Sequence, residues 1–276
     1  MVNILVPTDF SKLSKVAIDY AIKMANKFDG NVTLLHVISN VVEPIHGSLS
    51  QRIKAIERDL VQKAEEDFIP IVKEATKQNK TSTPIVYKIE KGNSFSDTVK
   101  SFAKKNRSGL IVMGTRGASG VTKLVLGSNT VSILDGSTVP VLVVPERANF
   151  KALKNVAYAS DLQHFEREVK TMLPYLKIFD STLHVFHVAE KGKDIENLQV
   201  ILKKSLKKLD YRKSTITIEK GKKVDVAIEA FVGNLKADLI TMFTHQQNFF
   251  EKLFRRSLTK QMAFQSKVPL LAFKIK

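Results

Sequence analysis

Leu110-Ile-Val-Met113 runs into Gly114-Thr-Arg-Gly117, and after nine intervening residues comes Gly127-Ser128. An apolar run that stops at paired glycines, followed by a helical pattern near Ser128, reads as a buried strand, a glycine loop and a helix start. Such a loop is a place to hold phosphate. Gly114 and Gly117 are expected to let the backbone turn tightly and approach a ligand. The amides at the helix start, with the Ser128 hydroxyl, can then point at an anion.

Working outward, the chain repeats itself. Ile89-Glu-Lys-Gly92 recurs as Ile218-Glu-Lys-Gly221, an offset of 129 residues that also maps Leu110-Ile111 onto Leu239-Ile240, Met113 onto Met242 and Val139-Pro140 onto Val268-Pro269. Upstream, Phe28-Asp29 and His36-Val37 map onto Phe179-Asp180 and His187-Val188, and Thr8-Asp9 onto Ser160-Asp161. The offset changes between the second and third strands, so the second copy is expected to be shorter in the part equivalent to residues 40–80. Two domains follow, 1–147 and 151–276.

Each copy alternates apolar runs with helical stripes. Asn3–Val6 reads as a first strand. Leu13, Val16, Ala17, Tyr20, Ala21, Met24, Ala25 and Phe28 then mark one face of a helix that Gly30 is expected to end. Val32–Ile38 is a second strand. Residues 48–79 read as a long polar helix broken or kinked at Pro70. Ile85–Ile89, Leu110–Met113 and Val139–Val144 complete the strands, with a helix from Phe95 to Ala103. In the second copy strands are expected near Asn155–Ala159, Leu183–Val188, Thr215–Ile218, Leu239–Phe243 and Leu270–Phe273. This alternation predicts an α/β fold, two parallel sheets each covered on both faces. Ligands in such folds lie beyond the carboxyl ends of the strands, where the winding reverses. Asp9 follows the first strand and Gly114 ends the fourth, so the two should share a crevice.

Composition narrows the function. The 276 residues contain no cysteine, which excludes disulfides and thiolate metal sites. No apolar run reaches membrane-spanning length, and Met1–Pro7 carries no signal-peptide pattern, so cytoplasmic residence and no membrane partner are expected. The net charge is +17, with 24 Lys/Arg against 13 Asp/Glu in residues 151–276 and 20 against 14 in residues 1–150. The lysines are dispersed and no nucleic-acid motif accompanies them, so they read as solvated helix faces rather than a nucleic-acid surface. No H-E-x-x-H motif is present. Around Ser119 the spacing fails for a nucleophile elbow, because residue 121 is valine.

The Pro-Thr-Asp at residues 7–9 and the G-x2-G-x9-G-S from Gly114 to Ser128, set in two α/β copies, resemble the universal stress proteins, in their tandem two-domain form. The resemblance implies a doubly wound, five-stranded parallel sheet in each copy, strand order 3-2-1-4-5, of the adenine nucleotide alpha hydrolase-like type. It further implies a cytoplasmic stress-response protein that binds ATP, with Mg as the default ion. Carried over by position, Pro7, Thr8 and Asp9 would flank the adenosine, with Asp9 its polar anchor, and the Val37 backbone would meet the adenine. Met113, Gly114, Arg116 and Gly117 would line the ribose and phosphates, and Gly127, Ser128, Asn129 and Thr130 would close on the phosphates. No G-x4-G-K-(S/T) lysine is present, which favours holding the nucleotide over fast turnover. A slow ATPase or adenylyl-handling enzyme, and a binder of nucleic acid or another anionic partner, are the alternatives.

The second copy departs from this pattern. Phe243, Gln246 and Arg256 stand where Gly114, Gly117 and Gly127 stand in the first, and only Ser257 and Thr259 match. Its floor is therefore expected to be filled, with no ATP bound in the same manner, leaving His245, Arg255 and Arg256 for some other ligand. Asp161 is expected to cap a helix or pack between domains. The last strands, Val139–Val144 and Leu270–Phe273, are apolar edges expected to pair within the chain, with further dimerisation open.

Overall fold

The computed structural model describes residues 2–39, 48–82, 84–115, 126–190, 192–221, 223–244 and 268–274. The chain divides into two compact units, Met1–Glu146 and Arg147–Lys276. The first contains β1 (Asn3–Pro7), α1 (Lys12–Phe28), β2 (Asn31–Ser39), α2 (Ser48–Gln78), β3 (Val86–Gly92), α3 (Phe95–Lys105), β4 (Leu110–Gly114), α4 (Ser128–Gly136) and β5 (Val141–Val144). The second contains β6 (Asn155–Ala159), α5 (Phe165–Phe179), β7 (Thr182–Ala189), α6 (Ile195–Lys208), β8 (Ser214–Lys220), α7 (Val224–Leu235), β9 (Leu239–Thr244) and β10 (Leu270–Lys274).

Both sheets have the same winding. In the first, the order is β3-β2-β1-β4-β5, and in the second β8-β7-β6-β9-β10, with parallel pairing throughout each. The central strands are buried over most of their length. Ile4, Leu5, Leu110, Ile111 and Val112 are at most 1% exposed. Side chains pointing both ways from such strands need helices on both faces, and this requirement is met by the βα alternation. The shortened stretch of the second copy lies between its second and third strands. There α6 has 14 residues where α2 has 31.

Two local expectations are corrected. The helix over residues 48–79 is not broken at Pro70, because α2 runs through it. Pro70 is on the exposed side, where water can satisfy the carbonyl that the missing N–H leaves behind. Buried Ala64, Phe68, Ile71 and Ala75 hold the helix to the sheet on either side of it. Nor does Gly30 end α1 by taking the left-handed turn. Asp29 takes it, at φ 49°. Gly30 is required instead because a Cβ there would stand 2.6 Å from the Val2 carbonyl oxygen. The second unit solves the same junction differently. Asp180 is again left-handed, but Ser181 follows it, and its hydroxyl donates to the Leu153 carbonyl.

Asp180 also carries charge pairs with Lys213 and Lys154. Its bond to Lys213, and then that ammonium's charge, hold the carboxyl below the usual carboxylate range. A depressed folded pKa stabilises above the unfolded value and loses that contribution as pH falls through the folded one. Thermal unfolding followed across acid pH should therefore show a smaller acid-side decline in Asp180→Asn than in the parent chain. The group is surface-exposed, so the difference should shrink in high salt.

Candidate functional site

The crevice begins at the turn after β1. Thr8 is 1% exposed and faces inward. Its amide donates to the Leu35 carbonyl at 2.8 Å. Its hydroxyl donates to Ser14 Oγ at 3.0 Å and accepts from the Phe10 amide at 3.1 Å. Thr8 therefore positions the turn and has its hydroxyl committed there. Pro7 is buried at the end of β1 and sits opposite Leu35. Asp9 is half-buried, with Oδ1 accepting from the Ser11 amide at 3.1 Å. The cap of α1 is Ser11, whose side chain accepts from the Ser14 amide. Asp9 thus rigidifies the turn without being the helix cap.

β1 pairs directly with β4, so Asp9 and the end of β4 share one carboxyl edge. Met113 is 5% exposed at that edge. Gly114 has a packing reason to be glycine beside the one expected. A Cβ there would stand 3.2 Å from the Leu13 carbonyl oxygen and 3.5 Å from the Leu13 Cβ. The missing side chain lets the first turn of α1 lie against β4. Close helix–strand packing is one demand the structure makes of this residue. Arg116 and Gly117 lie outside the described residues.

The far side of the crevice is the start of α4. Gly127 is the N-cap, at φ −62° and ψ 148°, and offers no side-chain cap. Its own amide donates to the Thr115 carbonyl at 2.8 Å. Ser128 and Asn129 follow, both exposed. Thr130 is 2% exposed, and its hydroxyl donates to the Gly114 carbonyl at 3.2 Å. Thr130 is thus a tie from α4 back to β4. The orphan amides of an uncapped helix start, reinforced by the helix dipole, suit an anion.

Val37 lies near the carboxyl end of β2 and lines a cavity of about 370 Å³ with Phe10, His36, Ser39, Lys63 and Asp67. Sequence reasoning missed Phe10. It is left-handed, at φ 63°, and its ring stacks on His36 at 4.5 Å and meets Phe68 edge-on at 5.0 Å. A side chain at such a φ is strained unless its surroundings hold it, and here two rings do. The repeat contained a trace of this. Leu162, the residue after Asp161, is left-handed too, at φ 67°.

His36 and His187 play equivalent parts. His36 Nδ1 lies 2.9 Å from the Thr8 carbonyl, and His187 Nδ1 lies 2.9 Å from the Ser160 carbonyl. Each fastens the second strand of its unit to the turn after the first. His184 instead contacts Thr215 Oγ1 at 2.8 Å and Asn155 Oδ1 at 3.2 Å. Asp161 does not cap α5, whose N-cap is His164. It accepts from the Gln163 amide at 3.0 Å, as Asp9 does from Ser11.

Of the three residues expected to fill the second crevice, Phe243 alone lies among the described residues. A cavity of about 540 Å³ opens at the carboxyl ends of β6, β7 and β9. Phe243 contributes to its lining. Its ring, however, is held by Phe273, stacked at 4.7 Å, and by Tyr158, edge-on at 5.8 Å. In this unit α5 starts at Phe165, two residues later than α1 in the repeat register fixed by Phe28 and Phe179. Gln246, Arg256, Ser257 and Thr259, like His245 and Arg255, lie outside the described residues.

Beneath this cavity is a buried polar chain with no counterpart in the first unit. Ser160 Oγ donates to the Tyr158 hydroxyl at 2.9 Å, and Tyr158 donates to Glu168. Glu168 is 1% exposed and Tyr158 is fully buried. Burial, and then the Glu168 charge, push the Tyr158 hydroxyl above the usual tyrosine range, which keeps it a donor. Ser160 and Glu168 occupy the positions of Thr8 and Ala17, so the unit that carries Phe243 has also rebuilt the polar contacts under its turn. Among the described residues no cluster of three or more metal-ligating side chains occurs, and no helix is long and apolar enough to cross a membrane.

Comparison with known proteins agrees with this architecture. A universal stress protein from Methanocaldococcus jannaschii, MJ0531, is 30% identical over 142 residues, which cover 51% of this chain and 81% of that protein. The Bacillus subtilis universal stress protein YxiE is 28% identical over 148 residues, 51% of this chain and 97% of that protein. The crystal structure of a universal stress protein from Archaeoglobus fulgidus has the same fold over 99% of this chain and 98% of its own, with a TM-score of 0.71 at 20% identity. The sequence profile of the universal stress protein family matches residues 1–145, and the chain belongs to that family.

Proposed function

We propose that the N-terminal unit binds ATP and that the protein serves a cytoplasmic stress response by binding the nucleotide rather than turning it over quickly. The observation that carries this reading is the pairing of β1 with β4. It sets the Asp9 turn and the uncapped start of α4 on one edge of the sheet. Asp9 anchors the adenosine, beside the backbone of Val37. The Ser128 and Asn129 amides and the Ser128 hydroxyl receive phosphate oxygens, each such charge-assisted bond contributing about 1.5–3 kcal/mol. Arg116 and Gly117 extend the same phosphate loop in the sequence. Mg, bound with the nucleotide, would neutralise part of the phosphate charge. No Walker-type lysine stands in the chain to stabilise a transferring phosphoryl group.

Denaturing the purified protein and identifying the released small molecules by mass spectrometry tests this directly. An adenine nucleotide is expected, and stripped protein should give a one-site heat of binding on titration with ATP. Empty protein that also gives no heat would refute the proposal.

A further inference from the structure

We infer that the outer edge of β3 is a docking surface for a second copy of this chain. Two N-terminal units join there by antiparallel pairing of β3 with β3, centred on Ile89. The surface is the lateral edge of the sheet, and the inference does not rest on nucleotide binding.

β3 is the last strand on its side of the unit. It pairs with β2 from Val86 to Gly92, and no described strand lies beyond it. Such an edge presents backbone donors and acceptors that another strand can use. Its surroundings do not shield it. Val86 and Tyr87 are exposed on the strand, and Ile69 on α2 is 65% exposed. A groove of about 530 Å³ lies between α2 and the end of the strand, lined in part by Glu57, Arg58, Gln62, Glu65 and Lys91. Ile69 is seven residues beyond Gln62 and four beyond Glu65, so it continues their row along the same flank of α2. Arg58 and Glu65 give that flank both signs of charge, so it does not repel its own copy.

The strand itself selects the occupant. Tyr87 stacks on Phe68 of α2, which turns Tyr87, Ile89 and Lys91 to the α2 face and Lys88 and Glu90 to the other. Val86-Tyr-Lys-Ile-Glu-Lys-Gly92 is complementary to itself when reversed about Ile89. Lys88 then stands opposite Glu90 of the other copy, and the two-fold axis makes this pair occur twice. Tyr87 stands opposite Lys91, ring against ammonium, and Ile89 opposite Ile89. Moving the centre to Lys88 or to Glu90 would set like charges face to face, so one register is selected. Within the chain Lys91 is paired with Glu57, whereas Lys88 and Glu90 have no ion-pair partner among the described residues.

The repeated edge, β8, lacks these features. Thr217 holds the place of Lys88, so the reciprocal exchange of charge is lost. α6, which packs on β8, exposes Lys203, Lys204 and Lys207, all of one sign. A second copy brought to that edge would meet repulsion.

Sedimentation equilibrium of the full chain tests the pairing. The parent should dimerise, and less tightly in high salt. Lys88→Glu and Glu90→Lys each set like charges opposite one another twice, and each should weaken the dimer about tenfold or more. Mixing the two variants restores opposite charges at both positions, and the mixture should associate about as tightly as the parent. Should Glu90→Lys fail to fold, Glu90→Gln takes its place, and its mixture with Lys88→Glu should associate more tightly than Lys88→Glu alone. A parent chain monomeric up to about millimolar concentration would overturn the inference. So would a dimer that Lys88→Glu leaves at parental strength, as pairing through another edge requires, or a mixture as weak as Lys88→Glu alone.

Discussion

Tyr158→Phe should lower the stability of the protein by about 1–3 kcal/mol, although it deletes a single oxygen. The phenol is fully buried, donates to Glu168 and accepts from Ser160. Its removal takes one donor from a carboxyl that is 1% exposed and one acceptor from Ser160. The cost of a hydrogen-bonding group left short of a partner in the interior exceeds the small gain from a drier ring. Tyr158→Phe combined with Glu168→Leu should recover part of the loss, because an apolar pair needs no partners. Calorimetric unfolding of the single and double variants measures both. A single variant as stable as the parent would mean that the buried chain contributes nothing.

Gly114→Val should cost about 1–3 kcal/mol, by overpacking the contact between β4 and α1. The first carbon of the new side chain already stands 3.2 Å from the Leu13 carbonyl oxygen, and the β-branch adds two more carbons. Gly114→Ala should cost less, since a shift of a few tenths of an ångström by Leu13 accommodates one methyl group. A graded loss from Ala to Val, read by denaturant unfolding, supports helix packing as the reason for this glycine. A stable Val variant that has lost only ligand binding would return Gly114 to the role that its loop position suggests.

These two substitutions mark where the sequence was legible and where it was not. The repeat, the α/β alternation and the shorter connection of the second copy could be read from offsets such as Ile89 to Ile218, because strands and deletions leave linear traces. The packing of Gly114 against Leu13 could not. A glycine in a strand-to-helix loop looks the same whether a phosphate or a neighbouring helix needs the space, and Leu13 is a hundred residues away in the chain. The setting of Phe243 was hidden for a related reason. Its size was apparent, but its ring packs against Phe273 and Tyr158, which the sequence does not place beside it. Thr8 and Thr130 sat in the right motif, yet the structure turns their hydroxyls inward, onto Ser14 and the Gly114 carbonyl. Ser128 and Asn129 emerged where expected, exposed on the first turn of α4. The Ser160–Tyr158–Glu168 chain left no motif, since its members come from a turn, a strand and a helix.

The central claim is that the amides at the start of α4 hold the phosphates of ATP. Gly127→Asp tests it at a backbone conformation open to any residue. The Gly127 φ and ψ suit any residue, and aspartate is a better N-cap than glycine by a few tenths of a kcal/mol. Its carboxylate would take the amides that phosphate needs and repel what remains. Calorimetric titration of the variant with ATP should show at least a roughly hundredfold loss of affinity alongside unchanged or slightly raised thermal stability. ATP binding at parental affinity in Gly127→Asp would contradict the account.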